Sequence, residues 1–150
     1  MPKPQLIETR ERYSIFSMVT TRWKDNDVYG HVNNAVYNAW MDTAVTEFFR
    51  EHHPGFPDTR LIPVGAETHL TFHRSISHPA EVETGVRVEN IGSRSAKCGV
   101  GIFTRDQPEA AAWGHMIHVW VDRNTNQAVS IPEYVRRALE SALMHKPAPH

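Results

Sequence analysis

Two acids one residue apart, Asp25 and Asp27, stand in a short polar loop that turns at Gly30 and runs on into His31, Asn33 and Asn34. A carboxylate so placed can serve as a base or a nucleophile. The residues that follow predict a helix: Tyr37, Trp40, Met41, Ala44, Val45 and Phe48 recur at helical spacing, and Asn38, Asp42 and Thr46 follow one another four apart on a second stripe. Asn33 or Asn34 suits its N-cap, because a short carboxamide accepts a bond from an orphan N–H of the first turn. One carboxylate is therefore placed just ahead of a helix N-terminus. Such an end carries partial positive charge and free N–H donors, which suit an anion or a polarised carbonyl oxygen.

The elements that must hold this loop and helix can be read from the flanking pattern. Residues 13–23 (YSIFSMVTTRW) are rich in β-branched and aromatic types and predict a strand leading into the loop. Between Val32 and Thr46 the helix carries a single charge, Asp42, so much of its circumference is expected to be buried. Glu51-His52-His53-Pro54-Gly55 stops it. A strand-rich half follows. Strands are expected over residues 62–76, 81–89, 95–104 and 110–121, with Val82, Thr84, Val86 and Val88 inward in the second and Ala96, Cys98, Val100 and Ile102 inward in the third. Ile131-Pro132 opens a C-terminal helix running to about residue 143. Hairpin-length connections among the last four strands imply a mostly antiparallel sheet, and the one long connection is the helix. The expected class is α+β, a five-stranded sheet wrapped around one long central helix.

Bulk properties narrow the function. At 150 residues and 40% hydrophobic content the chain supports one core, read as a single domain over residues 1–150 with an extended arm at 1–12 and a flexible tail at 144–150. Sixteen basic and seventeen acidic side chains give a formal charge of -1 without runs of one sign, so neither nucleic acid nor a membrane surface is an expected partner. No apolar run approaches the roughly 18 residues of a spanning helix, and the first residues lack the apolar core of a signal peptide, so a cytoplasmic location is expected. The single cysteine, Cys98, allows no internal disulfide and reads as a small core residue.

The run from Arg22 to Tyr37 (RWKDNDVYGHVNNAVY) resembles the loop motif of acyl-CoA thioesterases of the hotdog fold, in the 4-hydroxybenzoyl-CoA thioesterase-like group. The likeness spans residues 13–137 and includes Gly92-Ser93-Arg94-Ser95 and the closing VWVDRNTNQAVSIPE. His31 and the Asn pair replace the hydrophobic, proline-containing stretch of the 4-hydroxybenzoyl enzymes, which moves the resemblance toward the broader bacterial acyl-CoA branch. It implies hydrolysis of an acyl-CoA to free acid and CoA, without metal or other cofactor, by a homodimer or homotetramer. Asp27 matches the catalytic carboxylate. The backbone N–H groups around Asn33 and Asn34 match those that polarise the thioester carbonyl, and Arg94 resembles the position on the phosphate side of CoA. The chemistry is economical, because a thiol with a pKa of about 8.5 leaves as thiolate without a strong general acid.

Plainer readings compete at each position. Asp27 could merely cap the loop. Asp25 reads as a solvated or Arg22-paired acid. His31 could orient Asp27, touch the carbonyl or bond the backbone, and Asn33 could simply cap the helix. Gly30, Tyr37 and Trp40 are candidates to line the substrate pocket, the two aromatics being equally good core residues. Arg74 and Lys97 are lesser candidates for the basic fringe. Ten histidines raise the question of a metal, but His69 and His73 lie about 13 Å apart along one strand, too far to share an ion. A non-catalytic acyl-CoA or acyl-carrier binding module on the same fold is the alternative.

Overall fold

The computed structural model describes residues 6–143. In chain order these form β1 (Ile15–Thr20), α1 (Asn34–His52), β2 (Leu61–Phe72), β3 (Glu81–Ile91), β4 (Ser95–Thr104), β5 (Ala112–Asp122) and α2 (Glu133–Ser141). The strands make one sheet in the order β1-β3-β4-β5-β2, every pairing antiparallel. This is the α+β hotdog arrangement that the strand order and the resemblance both predicted. Short turns hold β3, β4 and β5 side by side; the Gly92 N–H closes the first of them onto the Ser95 carbonyl at 2.7 Å. The one long excursion is α1, which carries the chain from the β1 edge of the sheet to the β2 edge.

The alternation in the strands sets the core. Val82, Val86 and Val88 of β3 and Ala96, Cys98, Val100 and Ile102 of β4 are all buried, as their period of two requires. Met41, Val45, Phe48 and Phe49 of α1 meet several of them together with Trp120 of β5. Each such side chain contributes about 1.5–3 kcal/mol when fully removed from water. Burial also pushes the Cys98 thiol up to about 12, which leaves it an inert core group.

Three features differ from the sequence reading. The face of α1 bearing Asn34, Ala35, Asn38, Ala39, Asp42 and Thr43 is exposed, because the sheet of one chain covers only the opposite side. The outer face of the sheet, in contrast, is partly covered. Residues 6–13 cross it with one 3-10 turn at Arg10–Arg12, tied down by the Ala110 N–H on the Glu8 carbonyl and by Arg10 on the Glu83 carboxylate. Tyr13 lies there against Gly101, where an added Cβ would come within 2.8 Å of its ring, so the glycine makes room for the aromatic. The strand expected over 62–76 ends at Phe72, because the His73 and Arg74 N–H groups both turn onto the Ala111 carbonyl and lead the chain away.

The C-terminal helix is shorter than expected, Glu133–Ser141, with Pro132 just ahead of it. The arm residues 1–5 and the tail at 144–150 lie outside the described residues. Among the described residues no helix is long and apolar enough to cross a membrane.

Candidate active site

The acid loop is built on Asp25. Its side chain is only 1% exposed and accepts the Arg22 backbone N–H at 2.8 Å and the Arg22 guanidinium at 3.1 and 2.9 Å. Burial alone would raise this carboxyl; the Arg22 hydrogen bonds and charge outweigh it and hold the group below its usual range. The Asp25 carbonyl accepts the Asn33 N–H at 2.9 Å, joining the loop to the start of α1. Asp25 is thus paired with Arg22 but buried rather than solvated.

Asp27 sits at the turn itself. Its backbone N–H donates to the His31 carbonyl at 2.8 Å and its carbonyl accepts the Gly30 N–H at 3.0 Å. Gly30 has φ +79°, a left-handed conformation that glycine adopts without a steric penalty. One side-chain oxygen of Asp27, Oδ1, accepts the Tyr29 N–H at 2.9 Å. The loop is then docked on residues 76–78: the Val32 N–H donates to the Ile76 carbonyl at 2.7 Å, the Ser77 hydroxyl to the Gly30 carbonyl at 2.9 Å, and the His78 N–H to Asn26 Oδ1 at 3.0 Å.

Asn33 is the N-cap of α1, and its Oδ1 accepts the Ala35 N–H at 2.9 Å. The Val36 N–H turns back to the Asn33 carbonyl at 2.9 Å. Of the opening N–H groups this leaves that of Asn34 without an acceptor among the described residues. Asp27, His31, Asn33, Asn34 and Tyr37 line one open cleft of about 410 Å³. Asp27 and Asn34, the residue with the unengaged helix N–H, therefore line the same space. That pairing can activate a nucleophile on one side of a carbonyl and hold charge on its oxygen.

The remaining candidates fall elsewhere. Gly30 shapes the turn, and Trp40 is buried behind Tyr37 with ring centroids 5.4 Å apart, so it backs the wall rather than forming it. Arg94 lies in the β3–β4 hairpin, at the other end of the sheet. From Val82, beside the acid loop's end of β3, to Ile91 the strand runs roughly 30 Å at about 3.3 Å per residue. No single chain brings Arg94 to Asp27.

The far wall of the cleft comes from Phe72, the last residue of β2, and from His73, Arg74 and Ser75 just beyond it. Of these Arg74 carries a signal in the sequence, its charge. The others reach the site through the pairing of residues 76–78 with the acid loop, which no local pattern announces. The acid loop carries large exposed apolar groups: Trp23 is 79%, Val28 94% and Tyr29 81% exposed. Two of the histidines pair with each other. His69 stacks on His115 across β2 and β5 at 5.3 Å, and His115 Nε2 lies 3.0 Å from Glu67. Among the described residues no three His, Cys, Asp or Glu side chains converge as a metal-binding group.

Residues 21–139 match the family model of the thioesterase-like superfamily. Comparison with curated proteins finds no match. Among solved structures, the PA5185 protein from Pseudomonas aeruginosa PAO1 is 34% identical, with a TM-score of 0.86, over 92% of this chain and 97% of that one. A thioesterase from Thermus thermophilus, complexed with coenzyme A and Zn, is 27% identical with a TM-score of 0.77, over 89% and 96% of the two chains. The BH1999 gentisyl-coenzyme A thioesterase, at 22% identity and a TM-score of 0.73 over 83% and 99%, shares the fold.

Proposed function

Since the chain belongs to the thioesterase-like superfamily, we propose that it hydrolyses an acyl-CoA thioester to the free acid and CoA, with Asp27 as nucleophile or general base and the N-terminus of α1 polarising the carbonyl. The observation that carries this reading is the cleft lined by both Asp27 and Asn34, whose backbone N–H is unengaged. The Tyr29 N–H holds Oδ1, so the carboxylate is positioned before substrate arrives.

Two routes use this geometry. As nucleophile, Asp27 adds to the acyl carbon, CoA leaves as thiolate, and water then cleaves the mixed anhydride to restore the carboxylate. As general base, Asp27 takes a proton from a water that adds directly, and the thiolate again departs. In both, negative charge collects on the carbonyl oxygen, where an N–H donor stabilises it. His31 and Asn33 shape the mouth of the cleft in this reading, and Tyr37, backed by Trp40, forms its wall.

The reading extends to a homo-oligomer, a dimer or a tetramer, in which Arg94 of one subunit serves the Asp27 of another. Support comes from the open β2 edge, the exposed polar face of α1 and the exposed apolar side chains of the acid loop, all left uncovered in one chain. A cytoplasmic location belongs to the same proposal.

The direct test is release of free thiol from a panel of short, long, aromatic and cationic acyl-CoAs by the full chain. Turnover of at least one substrate is expected. Binding across the panel without any turnover would replace the hydrolase by a binding module.

A further inference from the structure

Arg74 enters the cleft as an anchored cation without an anion. Its Nη2 donates to the Thr104 hydroxyl at 2.8 Å and to the Glu109 carbonyl at 3.1 Å, both neutral acceptors. Among the described residues no carboxylate lies within 4 Å of it, whereas Arg10, Arg22, Arg60, Arg87 and Arg105 each hold one. The Glu109 carboxylate instead points toward His73, whose Nε2 is 3.9 Å away. Arg74 Nε is buried with no hydrogen-bond partner. A half-buried guanidinium that is fixed in position through Nη2, and whose unburied Nη1 has no hydrogen-bond partner among the described residues, is arranged to receive a charged acceptor.

The location says what kind of acceptor. Arg74 lines the same cleft as Asp27, opposite Tyr37 and beside Phe72. It also forms the shared wall with a second, polar cleft of about 330 Å³ that includes Ser75, Ser77, Thr104 and Arg105. Whatever occupies the Asp27 cleft therefore passes a fixed positive charge before it reaches the polar one. Apart from Asp27 itself, no acid lines the first cleft; Glu81 and Asp106 belong to the second, and Glu81 is met by Arg105 at 3.3 Å.

We propose that Arg74 is a specificity-determining residue of this site, binding an anionic oxygen group of the thioester substrate. Resting on the thioesterase reading above, the proposal adds the charge class of the ligand. The anion is either a carboxylate on the acyl group or a phosphate of the CoA arm, and the two sources separate by experiment.

Wild-type protein, Arg74→Gln and Arg74→Lys are compared on three thioesters of matched chain length: an acyl-CoA with a neutral acyl group, one with a terminal carboxylate, and the carboxylate-bearing acyl group on N-acetylcysteamine, which has no phosphate. Thermal unfolding of each variant checks that the fold is kept. The expected result is a KM raised about 10- to 100-fold in Arg74→Gln with kcat little changed, and partly restored by lysine. A rise confined to the two carboxylate-bearing substrates assigns the acyl anion. A rise on both CoA thioesters but not on the N-acetylcysteamine thioester assigns the phosphate. An unchanged KM on all three in a folded Arg74→Gln overturns the proposal while leaving hydrolysis intact, whereas a wild type that cleaves none of them, nor any other acyl-CoA, removes the reading beneath it.

Discussion

Asp27 Oδ1 accepts the Tyr29 backbone N–H at 2.9 Å, so the residue proposed to act on a substrate is also the one that closes its own turn. The loop-capping reading and the functional reading of Asp27 are therefore not exclusive. A carboxylate has two oxygens; the turn uses one, and the other has no partner among the described residues.

That division makes Asp27→Asn an informative variant. Its amide oxygen can still accept the Tyr29 N–H, so the loop should fold and the midpoint of thermal unfolding should stay within a few degrees of wild type. An amide neither attacks a thioester nor takes a proton from water, and turnover should fall by about 10²–10⁴. Undiminished thiol release by a folded Asp27→Asn protein would sink the assigned role.

The helix N–H can be removed separately. Asn34 is the first residue of α1, a position where proline fits because no intrahelical bond is lost. Asn34→Pro deletes the unengaged donor of the cleft while keeping the Asn33 cap. Loss of one such donor in comparable sites costs about 10²–10³ in turnover, so a drop of that size in kcat with near-native stability is expected. Asn33→Ala should show the reverse, losing about 1 kcal/mol of stability through the cap and much less activity. Denaturant titration beside steady-state kinetics separates the two.

Asp25 should behave as a structural residue. It is buried, bonds the Arg22 N–H and guanidinium, and its carbonyl holds the Asn33 N–H. Asp25→Ala removes the buried carboxylate that accepts both the Arg22 N–H and its guanidinium, at a cost of about 1–3 kcal/mol in unfolding free energy. At temperatures where the variant stays folded, it should retain far more activity than Asp27→Asn. If instead Asp25→Ala is the dead, stable variant, the roles of the two acids are exchanged.

The sequence disclosed the site unevenly, and the reasons are physical. Asp27, Asn33 and Asn34 lie within eight residues, so turn and cap chemistry, both local, placed them correctly. The alternation of β3 and β4 likewise fixed which residues face inward. What stayed hidden depends on long-range pairing. The end of β2 at Phe72 follows from Ala111, nearly forty residues on, accepting two successive N–H groups. Phe72 and His73 reach Asp27 only through that turn away from the sheet. The single charge of α1 predicts burial over much of its circumference, yet alanines and asparagines at Asn34, Ala35, Asn38 and Ala39 leave one face open, because low charge on a helix does not by itself mean a protein surface against it. His69 was measured against His73 along its own strand; its true neighbour, His115, lies across the sheet and follows only from register.

A pH dependence of stability follows from the core. His53 is 1% exposed, with its Nε2 accepting the Trp120 indole N–H at 3.2 Å and its Nδ1 3.4 Å from the Pro54 carbonyl. This pattern requires the neutral ring with hydrogen on Nδ1. Burial holds its pKa below the ordinary 6.5, and burial does the same to His118. The unfolded chain binds these protons more readily than the folded one. Stability should therefore be complete above about pH 6.5 and decline as the pH falls below it, by up to about 1.4 kcal/mol per pH unit for each proton excluded. Urea unfolding between pH 7.5 and 5 measures this, and His53→Gln should flatten part of the slope.

The last relationship to test joins two residues that one chain keeps apart. Asp27 and Arg94 stand at opposite ends of the sheet, so a site that uses both must draw them from different subunits. Asp27→Asn and Arg94→Ala homo-oligomers should each be impaired, the first in kcat and the second in KM for CoA thioesters. In a dimer exchanged between the two variants, one site combines Asp27 of the Arg94→Ala chain with Arg94 of the Asp27→Asn chain, and is wild type in both. Random exchange at equal concentrations makes half the dimers mixed, each with one intact site of two, so about a quarter of wild-type activity should return at a substrate concentration limiting for Arg94→Ala. Activity equal to the average of the two parents would place Arg94 outside the site, and light scattering on each protein would establish whether the oligomer is present for the exchange at all.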